Sequence, residues 1–202
     1  MDGLSLKQLA TDHIGPIDLS INLGHSIGLF GPSGSGKTLL LRAIADLDPH
    51  QGEITLAGKS QIQYIPKLWR RHVAFFATES QWWGETVKEH MPGPVVPWLE
   101  MCGFDQTALQ WSVNRLSSGE KQRLAIVRQL ALLPSVLLLD EPTSSLDTRN
   151  GQRIEKMLLQ YQLQREAVLI WVSHDREQLL RVTQRQFEMS EGKIQEITKH
   201  AT

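Results

Sequence analysis

The chain has 202 residues, enough for one full domain or two small ones at roughly 100–200 residues each. Apolar residues make up 41% and charged residues 21%, a globular balance that excludes a disordered chain. Lys plus Arg number 21 against 22 Asp plus Glu, for a formal charge of −1, which excludes the strongly basic character of a general nucleic-acid coat.

In chain order, 26–30 is a short apolar run leading straight into glycines and reads as a strand. Residues 38–47 read as a helix that ends before Asp48-Pro49. Residues 52–57 alternate and end in Gly58, a strand signal, and 73–77 is a further strand candidate. Between Trp83 and Leu116, Pro92, Pro94 and Pro97 break the pattern ahead of a helix-like 98–102, so this stretch is expected as an insert between two core strands. Residues 119–133 read as a helix stopped by Pro134, 136–139 as a fully apolar strand and 150–164 as a helix. Residues 167–172 are apolar and partly β-branched, and 186–197 form a hairpin pattern around Glu191-Gly192. Strands alternating with helices imply an α/β fold with a parallel sheet buried on both faces. The longest apolar runs, 136–139 and 167–172, fall far short of the about 20 residues of a spanning helix. Residues 1–10 lack a basic start followed by an apolar core, so no signal peptide is expected. Cys102 is the one cysteine, so no internal disulfide forms, and it is expected as an inert core thiol.

Residues 31–38 read Gly31, Pro32, Ser33, Gly34, Ser35, Gly36, Lys37, Thr38, between a strand and a helix. Glycines let the backbone wrap a polyphosphate closely, and the following helix adds its positive end. Lys37 supplies a point charge for the β- and γ-phosphates, and the Thr38 hydroxyl can ligate Mg²⁺. The apolar run 136–139 ends in Asp140-Glu141, which a buried parallel strand delivers to the carboxyl edge of the sheet. Asp140 is placed to hold Mg²⁺, through water, and Glu141 to orient or deprotonate an attacking water.

Further motifs follow in order: Leu116-Ser117-Ser118-Gly119-Glu120-Lys121-Gln122-Arg123, then Asp140-Glu141-Pro142-Thr143-Ser144-Ser145-Leu146-Asp147, then Trp171-Val172-Ser173-His174-Asp175. Together with the glycine loop they resemble the nucleotide-binding subunit of an ABC transporter, over about residues 4 to 197. The resemblance implies a P-loop NTPase core with a parallel sheet, a small antiparallel β subdomain and a short helical subdomain at about 84–130, all within one domain spanning 1–202. It implies ATP and Mg²⁺ as ligands, and a head-to-tail homodimer with two ATP molecules at the interface. It also implies a separate transmembrane permease as partner. The chain would then lie peripherally at the cytoplasmic face of the inner membrane, with no nucleic acid bound. Each glycine loop would face the partner's signature segment, with Ser117 capping a helix from near Gly119 whose start points at the γ-phosphate. Asp147 resembles the residue that links the two sites, and His174 the switch histidine that touches the γ-phosphate.

The chain departs from the family pattern in places. Ser118 stands where the signature usually has a first glycine. Thr78 stands where the family's loop glutamine is expected, and being shorter it would reach the ion through water; Gln81 is the alternative for that place. The stretch from Thr78 to Leu116 is short, so the helical subdomain looks trimmed. No aromatic stands where the family stacks adenine: His13 could stack on the base and Ile14 could pack against it.

Trp82 and Trp83 follow the Thr78 loop and read either as core or as a groove for a helix of the membrane subunit. The basic run 67–72 reads as a solvated face. The scattered histidines have no ligand spacing, so no zinc site is expected. The leading function is an ATPase powering a separate permease, and the short length, Gly84-Glu85-Thr86-Val87 and Leu169-Ile170-Trp171-Val172-Ser173-His174-Asp175 resemble a small group of bacterial subunits linked to metal (iron) export. The alternatives are a soluble ABC-type ATPase and an ATP-binding regulatory module that hydrolyses little.

Overall fold

The computed structural model describes residues 2–77 and 80–197. The chain opens with β1 (Asp2–Ala10) and β2 (Ile17–Asn22), paired antiparallel. β3 (Ser26–Phe30) then enters a second sheet, and α1 (Lys37–Ile44) leaves from its carboxyl end. β4 (Gln51–Leu56) and β5 (Lys59–Ser60) return to the first sheet, completing the order β2-β1-β4-β5. This is the small antiparallel β subdomain that the resemblance implies, of which the residue pattern alone marks only 52–57. The hydrophobic alternation of β1 is interrupted by a register shift between Lys7 and Ala10, with Gln8 at φ 51°. β2 does alternate strictly between buried and exposed positions, but it is short.

α2 (Pro66–His72) leads into β6 (Val73–Phe76). The basic run expected as a solvated face is one side of this helix. Its other side buries Trp69 completely, with Nε1 donating to the Ile44 carbonyl at 2.9 Å. α1 stops at Ile44 because Asp46 turns into the left-handed region at φ 57°.

The stretch expected as an insert consists of short 3₁₀ turns at 87–90, 106–110 and 113–115 around α3 (Val96–Met101), with Pro97 in its first turn. α4 (Ser118–Leu130), β7 (Val136–Asp140), α5 (Thr148–Arg165) and β8 (Val168–Val172) follow, then α6 (Arg176–Val182) and the hairpin of β9 (Arg185–Ser190) and β10 (Lys193–Ile197). α6 was not anticipated.

The second sheet has the order β10-β9-β3-β8-β7-β6. β6, β7, β8, β3 and β9 run parallel, and β10 pairs antiparallel with β9. β3, β7 and β8 are buried at every position. Their side chains divide by period two. Val136, Leu138, Val168 and Ile170 pack with α1 and the antiparallel sheet. Leu137, Leu139, Leu169 and Trp171 pack with α3, α4 and α5. The sheet is therefore the wall between two cores, as buried parallel strands require.

Cys102 lies in the second core with its Sγ 3.3 Å from Met157 Sδ, and burial pushes its thiol up to about 12. Trp69→Ala should lower unfolding stability by about 3–5 kcal/mol, as loss of a fully buried large side chain does. Urea unfolding followed by far-UV circular dichroism checks this, and a loss under about 1 kcal/mol would show that α2 is not anchored through this ring.

Candidate nucleotide and metal site

The loop at 31–36 takes its path from glycines. Gly31, Gly34 and Gly36 have φ of 147°, 78° and 106°, a region that suits only glycine without strain. A Cβ at Gly31 would run into the Met189 carbonyl, and one at Gly36 into the Ile14 side chain. The loop folds around Lys37, whose Nζ donates to the Gly31 carbonyl at 2.8 Å and the Pro32 carbonyl at 2.9 Å, with Ser35 Oγ at 3.4 Å. Burial pulls the Lys37 ammonium below the usual lysine range, and the carboxylates of Glu141 and Asp140 oppose that pull. α1 starts at Lys37 with no side-chain cap, so its first N–H groups are left to an anion at the loop. Pro32, Ser33, Gly34 and Thr38 are exposed around it.

Thr38 Oγ1 donates to Asp140 Oδ2 at 2.8 Å, joining the start of α1 to the end of β7. Asp140 is buried. Glu141 follows at φ 52°, in the left-handed region, and its N–H donates to the Val172 carbonyl at 3.1 Å. The turn throws the carboxyl group back over the strand ends. There Oε1 is buried without a hydrogen-bond partner among the described residues and lies 3.4 Å from His174 Nε2. The His174 side chain is 61% exposed and reaches in from the end of β8. Burial raises the Glu141 carboxyl above the ordinary glutamate range, with His174 and Lys37 opposing and Asp140 adding to the rise.

Ser117 caps α4: its Oγ accepts from Glu120 N at 3.3 Å, while Glu120 Oε2 accepts from Ser117 N and Oγ, each at 2.8 Å. These bonds hold the Glu120 carboxyl below its usual range. Ser117 and Ser118 are exposed at the helix start, beside Gly119. Asp147 caps α5, accepting from the backbone N–H of Asn150 at 3.0 Å and its side-chain amide at 2.6 Å, and these bonds lower its carboxyl. Its exposure leaves its outer face open.

Ile14 and His13 separate clearly. Ile14 is buried in the core against Gly36. His13 is exposed and lines an open cleft of about 520 Å³ with Leu39, Asp48 and His50. Thr78 lies outside the described residues. Gln81 is exposed, and its carbonyl accepts from Arg128 Nη1 at 3.0 Å.

The Trp pair is built around His90. The His90 Nε2 accepts from the N–H groups of Trp83 at 3.0 Å and Gly84 at 2.9 Å, so the ring proton is on Nδ1, donated to the Thr86 carbonyl at 3.0 Å. Both indoles meet the His90 ring with centroids 4.7 Å apart, and the Arg128 guanidinium covers both. Trp82 is half-buried, while Trp83 is 74% exposed. Sequence reasoning missed His90, whose role depends on a loop that folds back across it, and also Gln122, quoted only as part of a motif.

The model of the ABC transporter family matches residues 14–144. The chain belongs to the ABC transporter family. It carries the ATP-binding domain of an ABC transporter. The probable iron export ATP-binding protein FetA of Escherichia coli (strain K12) is 31% identical, over 81% of this chain and 78% of its own length. The spermidine/putrescine import ATP-binding protein PotA of Mesoplasma florum is 34% identical over 96% of this chain, which spans 61% of that relative. Among solved structures, a dimeric ATP-binding cassette in a post-hydrolysis state bound to ADP and phosphate has a TM-score of 0.83 at 22% identity. It covers 98% of this chain and 100% of its own. A Clostridium perfringens ABC transporter component, cbiO1, has a TM-score of 0.82 at 24% identity, over 96% and 88%. These structures share the ABC ATP-binding fold.

Because Glu141 has a raised folded-state pKa, its protonated form favours the fold. That contribution is full below the ordinary glutamate pKa and is lost as pH rises through the raised value. Glu141→Gln should therefore raise Tm more at pH 8 than at pH 4. Thermal melts at the two pH values check this, and a larger gain at pH 4 would contradict the burial account.

Proposed function

We propose that this ABC ATP-binding domain hydrolyses ATP and so powers a separate membrane-spanning permease. One observation carries the reading: Lys37, Thr38, Asp140, Glu141 and His174 converge at one edge of the parallel sheet. Among the described residues no helix is long and apolar enough to cross a membrane.

The reaction is in-line attack of water on the γ-phosphate. The 31–38 loop and Lys37 bind the β- and γ-phosphates, and Glu141 orients the water and takes its proton. The raised carboxyl makes Glu141 a stronger base than an exposed glutamate. His174 offers one N–H to the γ-phosphate. Thr38 and Asp140 are hard oxygen donors set side by side, and Glu141 Oε1, buried without a hydrogen bond among the described residues, belongs to the next residue along, so the residues fit Mg²⁺. When bound, Mg²⁺ offsets the charge of the phosphates. The remaining barrier falls to positioning and electrostatics.

Two chains pair head to tail, with Ser117, Gly119 and Asp147 of one facing the nucleotide of the other. The exposure of Ser117 and Ser118 supports this, because it turns the start of α4 outward. Trp83, held out by His90 and Arg128, supports a permease contact beside this site, which would place the chain at the cytoplasmic face of the inner membrane. The likeness to FetA supports a metal-ion cargo moved outward, with the cargo selected by the permease.

Glu141→Gln should cut turnover by about 100-fold or more, the scale of general-base loss, while retaining ATP. Phosphate release and ATP binding on the same preparation check this, and undiminished turnover would remove Glu141 from the base role. Tagged chain purified from solubilised membranes should carry a multi-spanning protein in stoichiometric amount. Recovery from the soluble fraction alone would overturn the permease reading.

A further inference from the structure

Gln122 lies in the second turn of α4 with 6% of its surface exposed, and both ends of its amide are engaged. Its Nε2 donates to the Glu141 carbonyl at 3.4 Å, and its Oε1 accepts from Ser145 Oγ. One turn earlier Gly119 lies against the same segment, where an added Cβ would stand 3.2 Å from Leu146 Cδ2. Residues 119 and 122 share one face of the helix. That face rests on the main chain that carries Glu141, Ser145 and Leu146, just before Asp147.

The geometry at Glu141 explains why such a rest is needed. The residue holds a left-handed conformation, which is strained for a non-glycine residue and persists only where neighbours fix it. Its N–H is pinned to β8 through Val172. Its carbonyl already accepts from Ser144 N at 3.2 Å and Ser144 Oγ at 3.0 Å. Satisfying that oxygen is therefore not what Gln122 contributes. The Gln122 amide is a strut from a different element. It joins α4 to both ends of the turn, and without it the turn is held by β8 through Val172, by α6 through Gln178 and Thr143, and from within itself, with no tie to α4 at Glu141.

We propose that Gln122 is a positioning residue for hydrolysis. It transmits the placement of the signature helix to the main chain of Glu141, and so sets where the catalytic carboxylate points. The inference rests on Glu141 being the general base. In a head-to-tail pair it has a consequence for both sites. The start of α4 closes on the partner's nucleotide, while Gln122, on the same helix, adjusts the base of its own chain. Closure at one site is then felt by the base of the other.

The test uses the full chain. Gln122→Met keeps length and burial and loses both hydrogen bonds. Its kcat should fall at least tenfold while the ATP dissociation constant stays within twofold. Gln122→Glu keeps the acceptor for Ser145 but sets a carboxylate oxygen against the Glu141 carbonyl, so its kcat should fall at least as far. Combined with Glu141→Gln, Gln122→Met should change the residual single-turnover rate by less than twofold, because a residue acting through Glu141 has nothing left to act on. A merely structural residue would multiply its loss onto Glu141→Gln. If Gln122→Met does not fold, Ser145→Ala removes one arm of the strut from an exposed loop and should show the same non-additivity at a smaller loss. A kcat within twofold of wild type, or full multiplication in the double variant, overturns the inference alone. Equal turnover by Glu141→Gln and wild type overturns the base assignment and this inference with it.

Discussion

β7 is buried at all five of its positions, between the two cores, and that burial decides where chemistry is possible. A strand walled on both faces has no exposed side along its length, so its polar residues can stand only at its end. Asp140 and Glu141 stand there. Beside them β3 ends at the glycine loop, and β8 ends at Ser173 and His174. Three neighbouring parallel strands thus release their chains at one edge, and the glycine loop, Asp140 and Glu141 meet without any long-range search.

The edge is then locked by polar contacts between loops that the strands deliver. Thr38 bonds Asp140, Glu141 bonds β8 through its N–H, and Gln178 Nε2 donates to Thr143 Oγ1 and to Glu155 Oε1, each at 2.8 Å. Ser173 Oγ accepts from Asp175 N at 3.0 Å, which fixes the backbone beside His174. One polar atom, Glu141 Oε1, stays without a hydrogen bond among these residues, and it belongs to the group assigned to water. The burial that leaves it so also raises its basicity, so the same desolvation that costs stability suits the proposed role of a base.

The parts of the site that the sequence discloses are those whose chemistry is local. A glycine loop needs its own φ values, a helix cap needs a residue three places on, and a strand end needs only the apolar run before it. Ser117 with Glu120 and Asp147 with Asn150 are of this kind. Gln122 is not: its partners lie 19 and 23 residues away, and nothing in its own surroundings distinguishes it from a solvated helix position. His90 is hidden differently, since its neighbours are close in sequence but the loop must fold back before two N–H groups meet one ring nitrogen. The antiparallel sheet was legible through the resemblance rather than through the residue pattern of β1, which the bulge near Gln8 interrupts, and α2 was hidden by a charge run that masks the burial of Trp69. Family resemblance supplied the dimer and the permease, which no single residue here discloses.

The composite site is the central claim, and a crosslink tests it most directly. Ser33 and Ser118 are exposed, at the glycine loop and the signature helix, and Cys102 is buried out of reach. A Ser33→Cys/Ser118→Cys chain, treated with a short thiol crosslinker, should form a covalent dimer when ATP is present and not in its absence. Neither single variant should do so. Binding of ATP by the double variant with no covalent dimer would contradict the account, because the helix start of α4 would then not face a partner's phosphate loop.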